Sequence, residues 1–146
     1  MGDLSNDINS KFANYRIKAL LNILYTANWI TGFQNEFFKP YGISPQQFNI
    51  LRILKGAGGE PVNVQIIKDR MIERSPNATR LMDKLCAKTY IERLPCVHDR
   101  RVVKIALTKE GNALLDAIPD NFNSYLLKNL NEEEAEQLSN LLDKMR

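Results

Sequence analysis

The chain has 146 residues, 44% hydrophobic and 25% charged, which fits one folded unit with its own core and excludes both a disordered chain and two large domains. No apolar run spans a bilayer, because Asn22 and Asn28 interrupt the best one, and no charged-then-apolar leader opens the chain, so a cytoplasmic protein without a membrane role is expected. Net charge is only +3, yet residues 52–109 hold 13 Lys and Arg against 6 Asp and Glu, and such a basic segment suits a polyanionic partner or, more blandly, a solvated surface.

Between Phe12 and Phe38 there is no Pro and one Gly, and Ile17, Leu20, Leu24, Ala27, Phe33 and Phe37 recur at helical spacing, so one long helix is predicted. Leu21, Tyr25 and Trp29 widen its apolar arc beyond what a small core covers, which implies a partner helix. Ser44 is placed to cap a helix that begins at Pro45 and buries Phe48, Leu51, Ile53 and Leu54; the GAGGEP stretch, Gly56 to Pro61, ends it in a turn.

Val62, Ile66, Ile67 and Met71 fit a short helix. Ser75-Pro76 repeats the cap-then-proline start, giving a second helix over 75–88. In it Ala78, Leu81, Met82 and Leu85 share one side, while Asn77, Arg80, Lys84 and Ala87 share the other. Two short helices joined by a brief turn bury both apolar faces as a helix-turn-helix. The period then changes to two at Val103, Ile105 and Leu107, a strand whose partner is Tyr90 to Leu94, with the polar loop 95–101 between them tipped by Arg100 and Arg101. Thr108 can cap the following helix, which carries Ala113, Leu114 and Ile118 and is kinked or interrupted at Pro119; Leu126, Leu127 and Leu130 are expected to extend it. Asn131 and Glu134 form a capping-box variant ahead of an amphipathic helix bearing Ala135, Leu138, Leu141, Leu142 and Met145.

The fold class expected is mainly α, of α+β type: a winged helix-turn-helix DNA-binding lobe over 41–109, and a helical dimerisation module built from both chain ends, 1–40 and 110–146. On duplex DNA the helix 75–88 fits the major groove, where Ser75, Asn77, Thr79, Arg80 and Lys84 offer donors and acceptors to base edges and phosphates. The wing arginines Arg100 and Arg101 can reach the minor groove, and Lys104 and Arg93 can hold flanking phosphates. For Arg80 taken alone, an ion pair to Asp83 or a solvated surface arginine is the plainer reading; joined to the wing arginines, the DNA reading is favoured.

The stretch Ser75-Pro-Asn-Ala-Thr79-Arg80-Leu-Met-Asp83-Lys84-Leu85, followed by Ile91-Glu92-Arg93, Asp99-Arg100-Arg101 and Leu107-Thr108-Lys-Glu-Gly111, resembles the MarR family of bacterial transcription regulators, as does Ile43-Ser-Pro-Gln-Gln-Phe-Asn-Ile-Leu51. The resemblance covers nearly the whole chain. It implies homodimers that bind palindromic double-stranded operators, usually as repressors, and often release DNA on binding small aromatic or phenolic compounds. It also implies that Arg101 is the minor-groove arginine, that Asp99 orders the wing loop, and that Arg80 is the recognition-helix arginine. An effector pocket beside the first helix would have Trp29, Phe33 and Tyr41 nearby, although aromatics at this spacing are more often core. At Thr89 members commonly carry glycine, so a helix ending there in a left-handed residue would be strained here.

Two cysteines outside any CxxC pair and a single histidine, His98, indicate neither a disulfide framework nor a metal site, and no cofactor is called for. Cys86 reads as a core or helix-edge residue; Cys96, with basic neighbours, leaves open a thiol-sensing regulator. An enzyme is not expected, since the chain lacks HExxH, GxSxG and a phosphate-binding loop. A winged helix serving as a protein-interaction module is the remaining alternative.

Overall fold

A computed structural model describes residues 2–74 and 76–146. After a single turn, α1 (Leu4–Asp7), the long helix α2 (Tyr15–Phe38) starts where the Asn14 side chain accepts from the Ile17 amide (3.0 Å), three residues later than the apolar pattern at Phe12 suggests. A 3-10 turn (Lys39–Tyr41) and Gly42, in the left-handed region at φ 70°, lead into α3 (Pro45–Gly56). Its start is a full capping box: Gln47 N–H donates to Ser44 Oγ (3.1 Å) and Ser44 N–H to Gln47 Oε1 (2.9 Å).

The sheet has one strand more than the sequence pattern suggests. Val62 belongs to β1 (Val62–Asn63), not to the helix, and α4 (Val64–Arg70) begins only after Asn63 caps it. β1 pairs antiparallel with β3 (Val103–Leu107), Val62 opposite Ile105, and β3 pairs with β2 (Ile91–Pro95), so the order is β1-β3-β2. Between them lies α5 (Ala78–Ala87), shorter than the expected 75–88. Pro76 and Asn77 form a turn ahead of it, with Asn77 in the cap position that Ser75 was expected to fill. Ser75 itself lies outside the described residues.

Thr108 caps α6 (Lys109–Ala117) as expected, accepting from the Gly111 amide (3.0 Å). Pro119 does not merely kink this helix: it ends at Ala117, and Leu126, Leu127 and Leu130 do not extend it. Leu126 instead closes the five-residue α7 (Phe122–Leu126). The last helix, α8 (Glu132–Met145), opens on the expected box between Asn131 and Glu134.

Ile50, Leu51, Leu54, Ile67, Met82, Leu85 and Ile105 are fully buried, so α3, α4, α5 and the sheet share one core. Phe38 joins it from the end of α2 and Phe122 from α7, where Phe37 stacks on Phe122 (4.6 Å between centroids). Most of α2 ahead of this contact is exposed in the single chain, and α8 has no buried residue.

Candidate nucleic-acid interface

Burial divides α5 sharply. Ala78, Met82 and Leu85 point inward at helical spacing, and Thr79, Arg80 and Lys84 are exposed, with Asn77 exposed at the cap. The helix is held in place by Gln47, a buried side chain whose Nε2 donates to the Leu81 carbonyl (3.3 Å). Asp83 pairs with Arg93 on β2 rather than with Arg80. Arg93 is exposed in this pair, and among the described residues Arg80 has no ion pair.

The wing loop between β2 and β3 is organised from within. Asp99 Oδ1 accepts from the Arg101 amide (2.9 Å), the Asp99 carbonyl accepts from Val102 N–H (3.1 Å), and Cys96 N–H reaches the Val102 carbonyl (3.2 Å). Arg100 and Arg101 are exposed at its tip, and Lys104 is exposed on β3 opposite Leu94. Backbone amides of His98 and Asp99 directed at the Cys96 sulfur hold that thiol below its ordinary pKa. Thus α5 and the wing each present an exposed cationic group, linked through the Asp83 to Arg93 pair. Among the described residues no group of His, Cys, Asp and Glu is placed to hold a metal ion, and no helix is long and apolar enough to cross a membrane.

At the end of α5, Thr89 adopts φ 65°, the left-handed conformation that glycine takes without penalty. The strain inferred from the sequence is present. The exit nevertheless leads into a regular β2, because Thr89 N–H donates to the Cys86 carbonyl (2.9 Å) and Tyr90 N–H to the Leu85 carbonyl (3.0 Å), which terminates the helix.

The residues expected near an effector do not gather around one space. Phe33 stacks on Phe37 (6.4 Å) and Tyr125 (5.9 Å), Tyr41 packs on Phe37 (5.8 Å), and Trp29 is exposed on α2. A cleft of about 610 Å³ opens instead between α2, α3, the segment after α4 and α7, with Phe38, Phe48 and Phe122 in its wall and Arg52, Gln46 and Glu73 at its edge. Sequence reasoning missed this space because its walls come from four separate segments; the aromatic cluster at Phe38, Phe48 and Phe122 was the available signal.

Residues 43–103 match the model of the MarR family. The chain is 30% identical over 119 residues to the transcriptional regulator MhqR of Bacillus subtilis, covering 80% of this chain and 81% of that one. The chain belongs to the MarR family. It is also 32% identical to the multiple antibiotic resistance protein MarR of Salmonella typhimurium over 76% of this chain and 78% of that one. Among solved structures, a cysteine-to-serine variant of Escherichia coli MarR complexed with operator DNA superimposes with TM-score 0.79 at 27% identity, covering 93% of this chain and 99% of that one. A MarR transcription factor from Planctomyces limnophilus superimposes with TM-score 0.70 at 29% identity over 91% and 98% of the two chains. This MarR-family chain thus has the mainly helical winged-helix fold that the sequence predicts, its sheet extended by the strand β1 to three antiparallel strands.

Proposed function

We propose that the protein is a cytoplasmic, homodimeric transcription regulator that binds a palindromic operator and represses from it. The observation that carries this reading is the exposed cationic face of α5 beside a wing loop in which Asp99 holds the Arg101 backbone amide. In the complex, α5 enters the major groove, with Ser75, Asn77, Thr79, Arg80 and Lys84 facing bases and phosphates. Arg101 and Arg100 enter the minor groove, Asp99 fixes the loop, and Lys104 meets a phosphate. The helical module is 1–40 with 110–146, and the DNA-binding lobe is 41–109. Support comes from the likeness to a MarR protein complexed with operator DNA.

One such lobe spans few base pairs, so specificity calls for two copies with half-sites about one helical turn apart. The exposed apolar residues of α2 and α8, among them Leu20, Leu24, Trp29, Leu138 and Leu141, support a second copy as their cover. The cleft walled by Phe38, Phe48 and Phe122, with Arg52 at its edge, suits a small aromatic effector carrying a polar or anionic group.

Duplex binding measured against salt tests the reading. A cationic interface on phosphate predicts a log-linear fall in affinity with salt, and Arg101→Ala should cost about 1–3 kcal/mol of binding. A flat salt response would move the protein to the class of protein-interaction modules. Selection of bound fragments from genomic DNA then yields the site and its symmetry.

A further inference from the structure

Positive charge continues from the groove-facing Lys84 past the end of α5, to lysines that neither the recognition face nor the wing uses. Lys84 and Lys88, one turn apart, line a cleft of about 540 Å³ together with Lys39, which follows α2, and with Asn35, Ser44 and Gln47. No carboxylate lines this cleft, and among the described residues none of its three lysines is in an ion pair.

Lys88 is held in place. Its ammonium donates to the Gly42 carbonyl, and Gly42, left-handed at φ 70°, leaves the room: a Cβ there would stand 3.2 Å from Lys88 Nζ. An ammonium has three donors, so two remain for a ligand. Three uncompensated cations around one concavity repel one another, and an anion placed among them relieves that repulsion.

We propose that this cleft receives a phosphate of the duplex backbone, making Lys39 and Lys88 DNA contacts additional to those of the recognition helix and the wing. The inference rests on the DNA-binding reading above. A nucleic-acid phosphate is favoured over a free small anion because Lys84 belongs both to the cleft and to the exposed face of α5. A helix seated in the major groove, about 12 Å wide, has phosphates along its flanks. The wing meets α5 through Asp83 and Arg93, whereas this cleft is built with α2 and the start of α3, so the two cationic groups adjoin the helix through different neighbours.

Fluorescence anisotropy on a labelled operator fragment and on an unrelated duplex, across a salt series, tests it with wild type, Lys39→Gln, Lys39→Arg and the double variant Lys39→Gln/Lys88→Gln. Lys39 is exposed, so its exchange leaves the core intact. Lys39→Gln is expected to weaken both duplexes alike, roughly three- to tenfold, and to lower the salt slope by about one; the double variant should lose about twice that slope, and Lys39→Arg should keep wild-type behaviour. Steep wild-type salt dependence with an unchanged Lys39→Gln would overturn the cleft assignment alone. A wild type that ignores every duplex would remove the DNA reading and this inference with it. If Lys39→Gln abolishes binding of inorganic phosphate to the free protein while phosphate never competes with the duplex and duplex affinity is unaltered, the cleft is a small-anion site and the proposal fails.

Discussion

The Thr108 hydroxyl donates to the Thr89 carbonyl (2.5 Å), tying the left-handed residue that ends α5 to the residue that caps α6. The wing therefore leaves and returns at one hydrogen-bonded point, reinforced by Thr108 N–H on the Tyr90 carbonyl (3.1 Å). The strain at Thr89 is the cost of a β-branched residue in a conformation that favours glycine. Thr89→Gly keeps the backbone bond and should raise stability by about 1 kcal/mol, read as a higher urea midpoint at constant m-value. A lower midpoint would mean that the Thr89 side chain, whose hydroxyl donates to the Lys88 carbonyl (2.6 Å), stabilises the turn by more than the backbone strain.

The same junction explains the glycine of the Leu-Thr-x-x-Gly motif. A Cβ at Gly111 would overlap the Tyr90 carbonyl oxygen and press on Leu107, so the first turn of α6 packs directly on the backbone entering β2. The obstacle is backbone, which cannot swing aside as a flexible side chain can. Gly111→Ala should therefore destabilise by about 2–3 kcal/mol despite alanine's better helix propensity. Thermal unfolding of this variant close to wild type would show that α6 can shift away freely.

How much of this was legible beforehand follows from what each signal is made of. Ser44, Thr108 and Asn131 announced helix starts because a cap is a local hydrogen bond between neighbours in sequence, and the structure forms all three. Val62 fits a helix by its spacing because a two-residue strand has no period of its own; its identity comes from pairing with Ile105, 43 residues away. Lys39 gives no signal for a similar reason, since nothing near it in sequence announces that it lines a cleft with Lys84 and Lys88.

Asp99 organises the wing through two groups: its carboxylate accepts from Arg101 N–H and its carbonyl from Val102 N–H. Asp99→Ala removes only the first. The loop is exposed, so global stability should change by less than about 1 kcal/mol. Duplex affinity should fall by a factor approaching that of Arg101→Ala, because the arginine must then be ordered on binding. A variant with wild-type affinity would show that the loop is ordered without the carboxylate.

For Cys96 the amides of His98 and Asp99 favour the thiolate, so its titration midpoint lies below the ordinary thiol value of about 8.5. A folded-state pKa that is depressed contributes stability above the unfolded thiol pKa, and the contribution is lost as pH falls through the folded one. Alkylation rates of a Cys86→Ser variant, followed by mass spectrometry across pH, should give a native midpoint lower than in urea. Coincident midpoints would show that the amides do not engage the sulfur.

The final helix poses the sharpest question about assembly. A 14-residue helix with no buried residue is marginal alone in water, yet α8 carries Leu138, Leu141, Leu142 and Met145 on one face, with Leu138 41% and Leu141 66% exposed. A second copy supplies the cover if the apolar residues of α2 and α8 meet their equivalents across a twofold axis. Leu138→Glu combined with Leu141→Glu places two charges in that interface while touching nothing in the subunit core. Sedimentation at micromolar concentration should show wild type at the mass of two chains and the double variant at that of one, with operator affinity falling as the paired half-sites lose their linkage. A wild type that sediments as one chain, or a double variant that remains paired, would refute this cover for α8.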